Sequence, residues 1–138
     1  MPGYSGTPLY KKLGIKPGFK IYVKNAPDNY TELISPIPDG VMQLQRVGRE
    51  LDMIHFFTKK RSEMEKNLPI YMQKIKQDAM IWLSWPKKAS NVQTDIYEDT
   101  IRAIALPMGL VDIKVCAVDE TWSGLKLVIR KELRSKMT

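Results

Sequence analysis

Two stretches of the chain, LDMIHFFT over residues 51–58 and AMIWLSW over 79–85, are apolar at almost every position and bounded by polar residues. A strand with one solvated face alternates, whereas a strand covered on both faces does not, so both runs predict central strands of a sheet packed on two sides. A third segment, GLVDIKVCAV over 109–118, alternates instead, with Val111, Ile113, Val115 and Ala117 at period two. Residues 51–57, 80–83 and 111–117 are therefore expected to be buried strands.

Helical spacing fills the gaps between them. Met64, Leu68, Tyr71, Met72 and Ile75 recur on one helical face, with Ser62 and Glu65 spaced as a capping box and Pro69 placed to bend the helix. Ile96, Ile101, Ile104 and Ala105 mark a second helix, with Thr94 and Glu98 as a looser cap and Gly109 ending it. Upstream, KIYVK (Lys20–Lys24) reads as a short strand and DNYTELIS as one or two helical turns capped by Asp28. PIPDG then turns the chain into VMQLQRV, another strand, and at the far end DETWSG reverses it so that LKLVIRKEL returns antiparallel. Strands alternating with helices predict an α/β, three-layer Rossmann-like sandwich: a mostly parallel sheet of about six strands closed by a C-terminal antiparallel hairpin strand.

Composition places this architecture in a soluble setting. A chain of 138 residues suits one domain, its 43% hydrophobic and 27% charged residues are ordinary for a globular protein, and no apolar run reaches the length of a membrane span. The start, MPGYSGTPLYKK, lacks the apolar core of a signal peptide, and a single cysteine, Cys116, fits a reducing compartment, so a cytoplasmic protein is expected. The excess of 22 basic over 15 acidic residues gives +7, scattered along the chain rather than gathered in a tail. Such a charge suits an anionic partner, nucleic acid among them.

Several chemistries are missing. One histidine and one cysteine make no zinc site, and neither a GxSxG elbow nor a phosphate-cradling GxxxxGK loop is present. His55 lies inside an apolar strand, where a histidine satisfied by core partners is the expectation rather than a catalytic one. Cys116 and the eight methionines read as packed apolar side chains.

Taken together, GYSGTPLYKKLGIKPG, NAP, WPKKAS and MGLVDIKVCAVDETWSGLKLVIR resemble a small bacterial family catalogued as domain of unknown function 3052, a likeness that spans nearly the whole chain and implies little chemistry. More distantly, the order of elements resembles the S-adenosylmethionine-dependent methyltransferase fold. LGIKPGFKIYV is similar to the entry into its first strand, LDMIHFF to its fourth, AMIWLSWPK to its fifth, and GLVDIKVCAV with LKLVIRK to its closing hairpin. That resemblance implies a cofactor site that this chain departs from. Where methyltransferases follow the first strand with a glycine-rich loop, Asn25, Ala26, Pro27 and Asp28 stand here, and where an acidic residue holds the ribose, VMQLQRVG offers Arg46. Only one strand fits between Val23 and Leu51, so part of the cofactor half is expected to be deleted. No cofactor is expected, S-adenosylmethionine being the possible one.

In an open parallel sheet, ligands bind beyond the carboxyl ends of the strands. Four loops should meet there: NAPDNY, TKKRS, SWPKKASNVQT and the turn DETWSG. They bring Asn25, Lys59, Lys60, Arg61, Trp85, Lys87, Lys88, Asp119, Glu120 and Trp122 to one edge, beside helix N-termini that favour anions. Trp85 and Trp122 are expected as flat walls, with Lys87 or Lys88 neutralised by Asp119 or Glu120. The connection from Ser84 to Thr94 exceeds the usual length of about 2–6 residues, which suits a functional loop. A structural reading competes, in which Trp85 seals the sheet edge and the lysines are simply solvated. The reading preferred for function is a Rossmann-like domain binding an anionic small molecule or an acidic protein surface. The alternatives are an atypical S-adenosylmethionine-dependent small-molecule methyltransferase and a nucleic-acid-binding domain.

Overall fold

The structure, a computed structural model, describes residues 7–134. The first four residues of GYSGTPLYKK lie outside that range. In chain order the elements are α1 (Leu9–Leu13), β1 (Lys20–Lys24), α2 (Tyr30–Leu33), β2 (Met42–Leu44), β3 (Leu51–Phe57), α3 (Arg61–Met72), β4 (Ile75–Pro86), α4 (Glu98–Met108), β5 (Leu110–Ala117) and β6 (Trp122–Ile129). The strands form one six-stranded sheet in the order β2-β1-β3-β4-β6-β5. β1 to β4 pair in parallel, and β6 alone runs against both of its neighbours.

The uninterrupted apolar runs occupy the middle of this sheet because both of its faces are covered. Ile54, Phe56, Ile81, Leu83 and Trp85 point to one face, where they pack with Met64 and Leu68 of α3 and Ile101 and Ala105 of α4. Met53, Phe57, Met80 and Trp82 point to the other, against Leu13 of α1, Tyr30 of α2 and Ile34 just beyond it. Helix–sheet–helix is thus the three-layer α/β Rossmann-like sandwich expected from the alternation of elements, with about six strands realised as six.

Several local expectations are corrected. Residues 111–117 do form a strand, but it is an edge strand and not a buried one: Ile113 is 55% and Val115 49% exposed. β6 takes the inner place beside β4, and a register shift between Asp112 and Lys114 breaks the two-residue alternation on which burial was argued. α3 begins at Arg61 with no side-chain cap from Ser62. Glu65 pairs instead with Arg61 one turn back, at 3.4 Å. Pro69 is accommodated inside α3, whereas Ile75, expected on the helical face, opens β4. Thr94 does not cap α4, which starts four residues later, and Asp28 does not cap α2. Gly109 ends α4 as expected, at φ 104°, the left-handed conformation that glycine adopts without strain.

The joint between β4 and β6 is tight at position 124, where β6 carries a glycine. A Cβ on Gly124 would lie 3.1 Å from the Trp82 ring and 3.4 Å from Ser84 Oγ. Trp82 cannot retreat, since it is fully buried and its Nε1–H donates to the Leu13 carbonyl at 2.9 Å. Gly124→Ala is expected to destabilise the fold by about 1–3 kcal/mol through overpacking. A urea titration showing an unchanged midpoint would contradict this packing argument.

Candidate functional site

The carboxyl ends of β1 and β3 open onto a cleft of ≈ 490 Å³. Asn25, Ala26 and Pro27 form one side of it, Phe57 to Lys60 another, and Trp122 the far wall. Adjacent parallel strands diverge as they leave the sheet, and their connections part here, which is why a cleft opens at this edge.

Each wall has a local cause. Asn25 takes a left-handed conformation at φ 61°, and its side-chain amide donates to the Phe57 carbonyl at 3.2 Å. The turn that a glycine would make freely is made by an asparagine held across to the next strand. Thr58 Oγ1 accepts from the Lys60 N–H at 3.2 Å and donates to the Glu63 carboxylate. That couple fixes the entry to α3 and ties up the carboxylate facing the cleft. The Phe57 ring meets Trp122 edge to face, with centroids 5.1 Å apart. Lys59 and Lys60 are exposed, and among the described residues their amines make no ion pair.

The structure distributes the site residues expected from sequence unevenly. The DETWSG turn does lie beside the end of β4: Pro86 pairs with Trp122, and the Lys87 N–H donates to the Thr121 carbonyl at 2.8 Å. Asn25, Lys59 and Trp122 line the cleft, while Trp85, Lys87, Lys88, Asp119 and Glu120 do not. Trp85 is buried in the core beneath α3 and α4, on the face opposite Trp122, because one residue of register separates the two along paired strands. It seals the sheet and walls no ligand space. Among the described residues no ion pair joins Lys87 or Lys88 to Asp119 or Glu120. Asp119 is occupied locally, its Oδ1 accepting from the N–H groups of Thr121 at 2.8 Å and Trp122 at 2.7 Å. Lys88 and Glu120 are exposed.

The long connection after β4 is fastened down. Ser84 and Trp85 belong to the strand, and the loop proper, residues 87–97, returns over the start of α3. Thr94 Oγ1 donates to the Lys59 carbonyl at 2.7 Å, and Asp95 Oδ1 accepts from the Arg61 N–H at 2.7 Å. A carboxylate of the chain itself thus occupies the N-terminus of α3, the place where an anion was expected. Asp95, Thr58, Phe57 and Glu63 were not singled out from sequence. Only the carboxylate upstream of a helix signalled Asp95, and its partner lies 34 residues away.

Behind the cleft a polar chain crosses the core. Tyr30 Oη and Ser84 Oγ lie 2.8 Å from His55 Nδ1 and Nε2 respectively, and all three residues are buried. Neutral imidazole has one donor and one acceptor nitrogen, and either hydroxyl can serve either role, so the histidine is satisfied as expected. His55 also stacks on Phe57, centroids 4.2 Å apart.

No family model matches the chain and no curated protein matches it in sequence, so nothing beyond the quoted segments supports the resemblance to the small bacterial family. Solved structures do align. A SAM dependent methyltransferase from Aquifex aeolicus superposes at TM-score 0.59 and 15% identity, over 88% of this chain and 87% of that one. A TehB-like SAM-dependent methyltransferase from Corynebacterium glutamicum gives 0.58 at 10% identity, over 88% and 86%. A possible exported protein from Bordetella parapertussis gives 0.61 at 9% identity, with 88% of this chain aligned to 65% of that one. The chain therefore has the Rossmann-like fold of S-adenosylmethionine-dependent methyltransferases.

The fold does not bring the cofactor's donor set with it. Asn25 takes a left-handed conformation in the loop after β1, where the resemblance implies a glycine-rich turn. The second strand, however, is only Met42–Leu44, and Gln45 and exposed Arg46 follow it where that fold holds the ribose on a carboxylate. Two lysines at the cleft would also oppose a sulfonium. The acidic ribose partner that the resemblance implies thus has no counterpart at Gln45 or Arg46.

Burial alone pushes the His55 imidazolium down to a pKa of about 3, from an ordinary value of 6.5. Below pH 6.5 the unfolded chain takes up a proton that the folded chain refuses, so acid favours unfolding. His55 is expected to remove roughly 1.4 kcal/mol of stability per pH unit between about pH 6 and 3. Comparing the pH dependence of unfolding with that of His55→Gln isolates this slope, and identical slopes would show that His55 is protonated in the fold.

Proposed function

We propose that the protein binds a small anionic molecule in the cleft between β1 and β3, using the methyltransferase fold for recognition. The observation that carries this reading is the pairing of charge and shape at one opening. Lys59 and Lys60 stand at the cleft with no carboxylate partner among the described residues, opposite the aromatic surface of Phe57 and Trp122. Glu63 also lines the cleft, its carboxylate accepting from Thr58 and making no ion pair with either lysine. An anion with a flat body answers both features: its charge meets the lysines and its ring lies on the tryptophan. An acidic side chain of a partner protein is the other source of such a charge.

S-adenosylmethionine is the second reading, favoured by one observation, the left-handed turn at Asn25 where the fold's cofactor loop begins. A nucleic-acid partner is favoured only by the net charge of +7.

A thermal-shift series with nucleotides, S-adenosylmethionine and its demethylated product separates these readings. A nucleotide is expected to raise the melting temperature of the protein, and the double variant Lys59→Met, Lys60→Met is expected to lose that rise. Both lysines are exposed, so the variant's own stability should change by no more than about 0.5 kcal/mol. The Lys87→Met, Lys88→Met variant should keep the rise, since neither residue lines the cleft. No rise with any anion, or a rise that the Lys59 and Lys60 changes leave intact, would remove the reading. A rise with S-adenosylmethionine alone would put the second reading in its place.

A further inference from the structure

A second cleft, of ≈ 440 Å³, opens at the other end of the sheet, between the turn after α1 and strands β4 and β6. Lys16, Lys126 and Arg134 bring positive charge to it, and Phe19, Met80 and Ile113 give it an apolar wall. Lys126 lies on β6, directly across from Trp82 on β4 and beneath Gly14, whose notional Cβ would stand 3.9 Å from the lysine amine. Its stem is therefore packed into the sheet face while its amine looks into the cleft.

Among the described residues that amine makes no ion pair. Two carboxylates also border the cleft, Asp52 and Asp78, and neither forms an ion pair with Lys126. Asp52 is paired with Lys76 at 2.9 Å and accepts from the Lys20 N–H at 2.8 Å, while Asp78 forms no ion pair among the described residues. What acts on Lys126 is burial first, then the like charges of Lys114 and Lys16, and all three lower its pKa. The cleft's three cations outnumber its two carboxylates, one of which is already paired with Lys76, and a bound anion would offset the excess.

We propose that this second cleft is a binding site for a phosphate monoester with an apolar body, the phosphate meeting Lys16, Lys126 and Arg134 and the body lying on Phe19, Met80 and Ile113. A dianion matches several cations better than one carboxylate does, and a guanidinium offers phosphate a paired donor geometry. Arg134 can offer only part of that fork, because its Nε already donates to the Ile129 carbonyl at 3.0 Å. The site is independent of the cleft at the carboxyl edge and shares no lining residue with it.

Calorimetry on the full chain tests the assignment, with phenyl phosphate, inorganic phosphate and a short single-stranded DNA as probes. Phenyl phosphate should bind saturably and more tightly than inorganic phosphate. Lys126→Met should weaken it by about tenfold or more without lowering the melting temperature, since methionine keeps the stem and removes an unpaired charge. The Lys59→Met, Lys60→Met variant should bind it unchanged, which separates this site from the first cleft. Displacement of phenyl phosphate by the oligonucleotide supports the site and assigns the phosphate to a nucleic-acid backbone; no displacement supports a small ester. In the unmodified protein, phenyl phosphate should also move the NMR titration of the Lys126 amine to higher pH. Absence of binding at millimolar phenyl phosphate, binding that survives Lys126→Met, or an unmoved Lys126 titration would overturn the proposal.

Discussion

β6 runs against β4 from Trp122 to Leu127, and the arrangement of both clefts follows from that pairing. The register sets which side chains of the hairpin face which layer. Leu125, Leu127 and Ile129 enter the core under α3 and α4, while Trp122, Lys126 and Val128 look toward α1 and α2. Shifting it by one residue would exchange the two sets, moving Trp122 out of the first cleft and Lys126 out of the second. Gly124 and Trp82 lock the register at its middle, since the indole occupies the space that any β6 side chain there would need. The indole is itself fixed by the Leu13 carbonyl at the end of α1. One contact thus couples the N-terminal helix, the centre of the sheet and the hairpin.

The polar chain from Tyr30 through His55 to Ser84 acts across the same layer but in the other direction, joining α2 to β3 and β4. Burying an imidazole without partners would cost several kcal/mol, so all three residues have to be placed together. His55 in turn supports Phe57 from behind, and Phe57 is the ring against which Trp122 rests at the cleft. The site's aromatic wall therefore stands on a fully satisfied hydrogen-bonded chain and not on loose apolar packing.

How far this was legible in the sequence differs by feature. Uninterrupted apolar runs announce central strands because only a sheet covered on both sides can bury every position, and β3 and β4 are where those runs stand. The adjacency of the DETWSG turn to the end of β4 followed from topology. Register did not, and register decides that Trp85 and Trp122 face opposite layers. Alternation in 111–117 gave the strand but could not reveal the bulge near Ile113, nor that β6 would take the inner position. The partners of charged side chains were the least legible. Asp119 closes its own turn, Asp95 crosses 34 residues to reach α3, and neither meets the lysines nearer to it in sequence. Composition can count charges, but the backbone N–H groups that claim them appear only when the chain is folded.

The distribution of carboxylates bears on what such a basic chain can bind. Glu63 is held by Thr58, Asp95 by the start of α3, Asp119 by its turn and Asp52 by Lys76. Glu98, Asp99 and Asp112 all converge on Arg102, fastening α4 to the edge strand. Seven acidic residues are thus committed to internal duties, while the lysines at both clefts have none. These hydrogen bonds fix where the carboxylates sit without removing their charge, so Glu63 at the first cleft and Asp52 and Asp78 at the second offset part of the lysines' charge there.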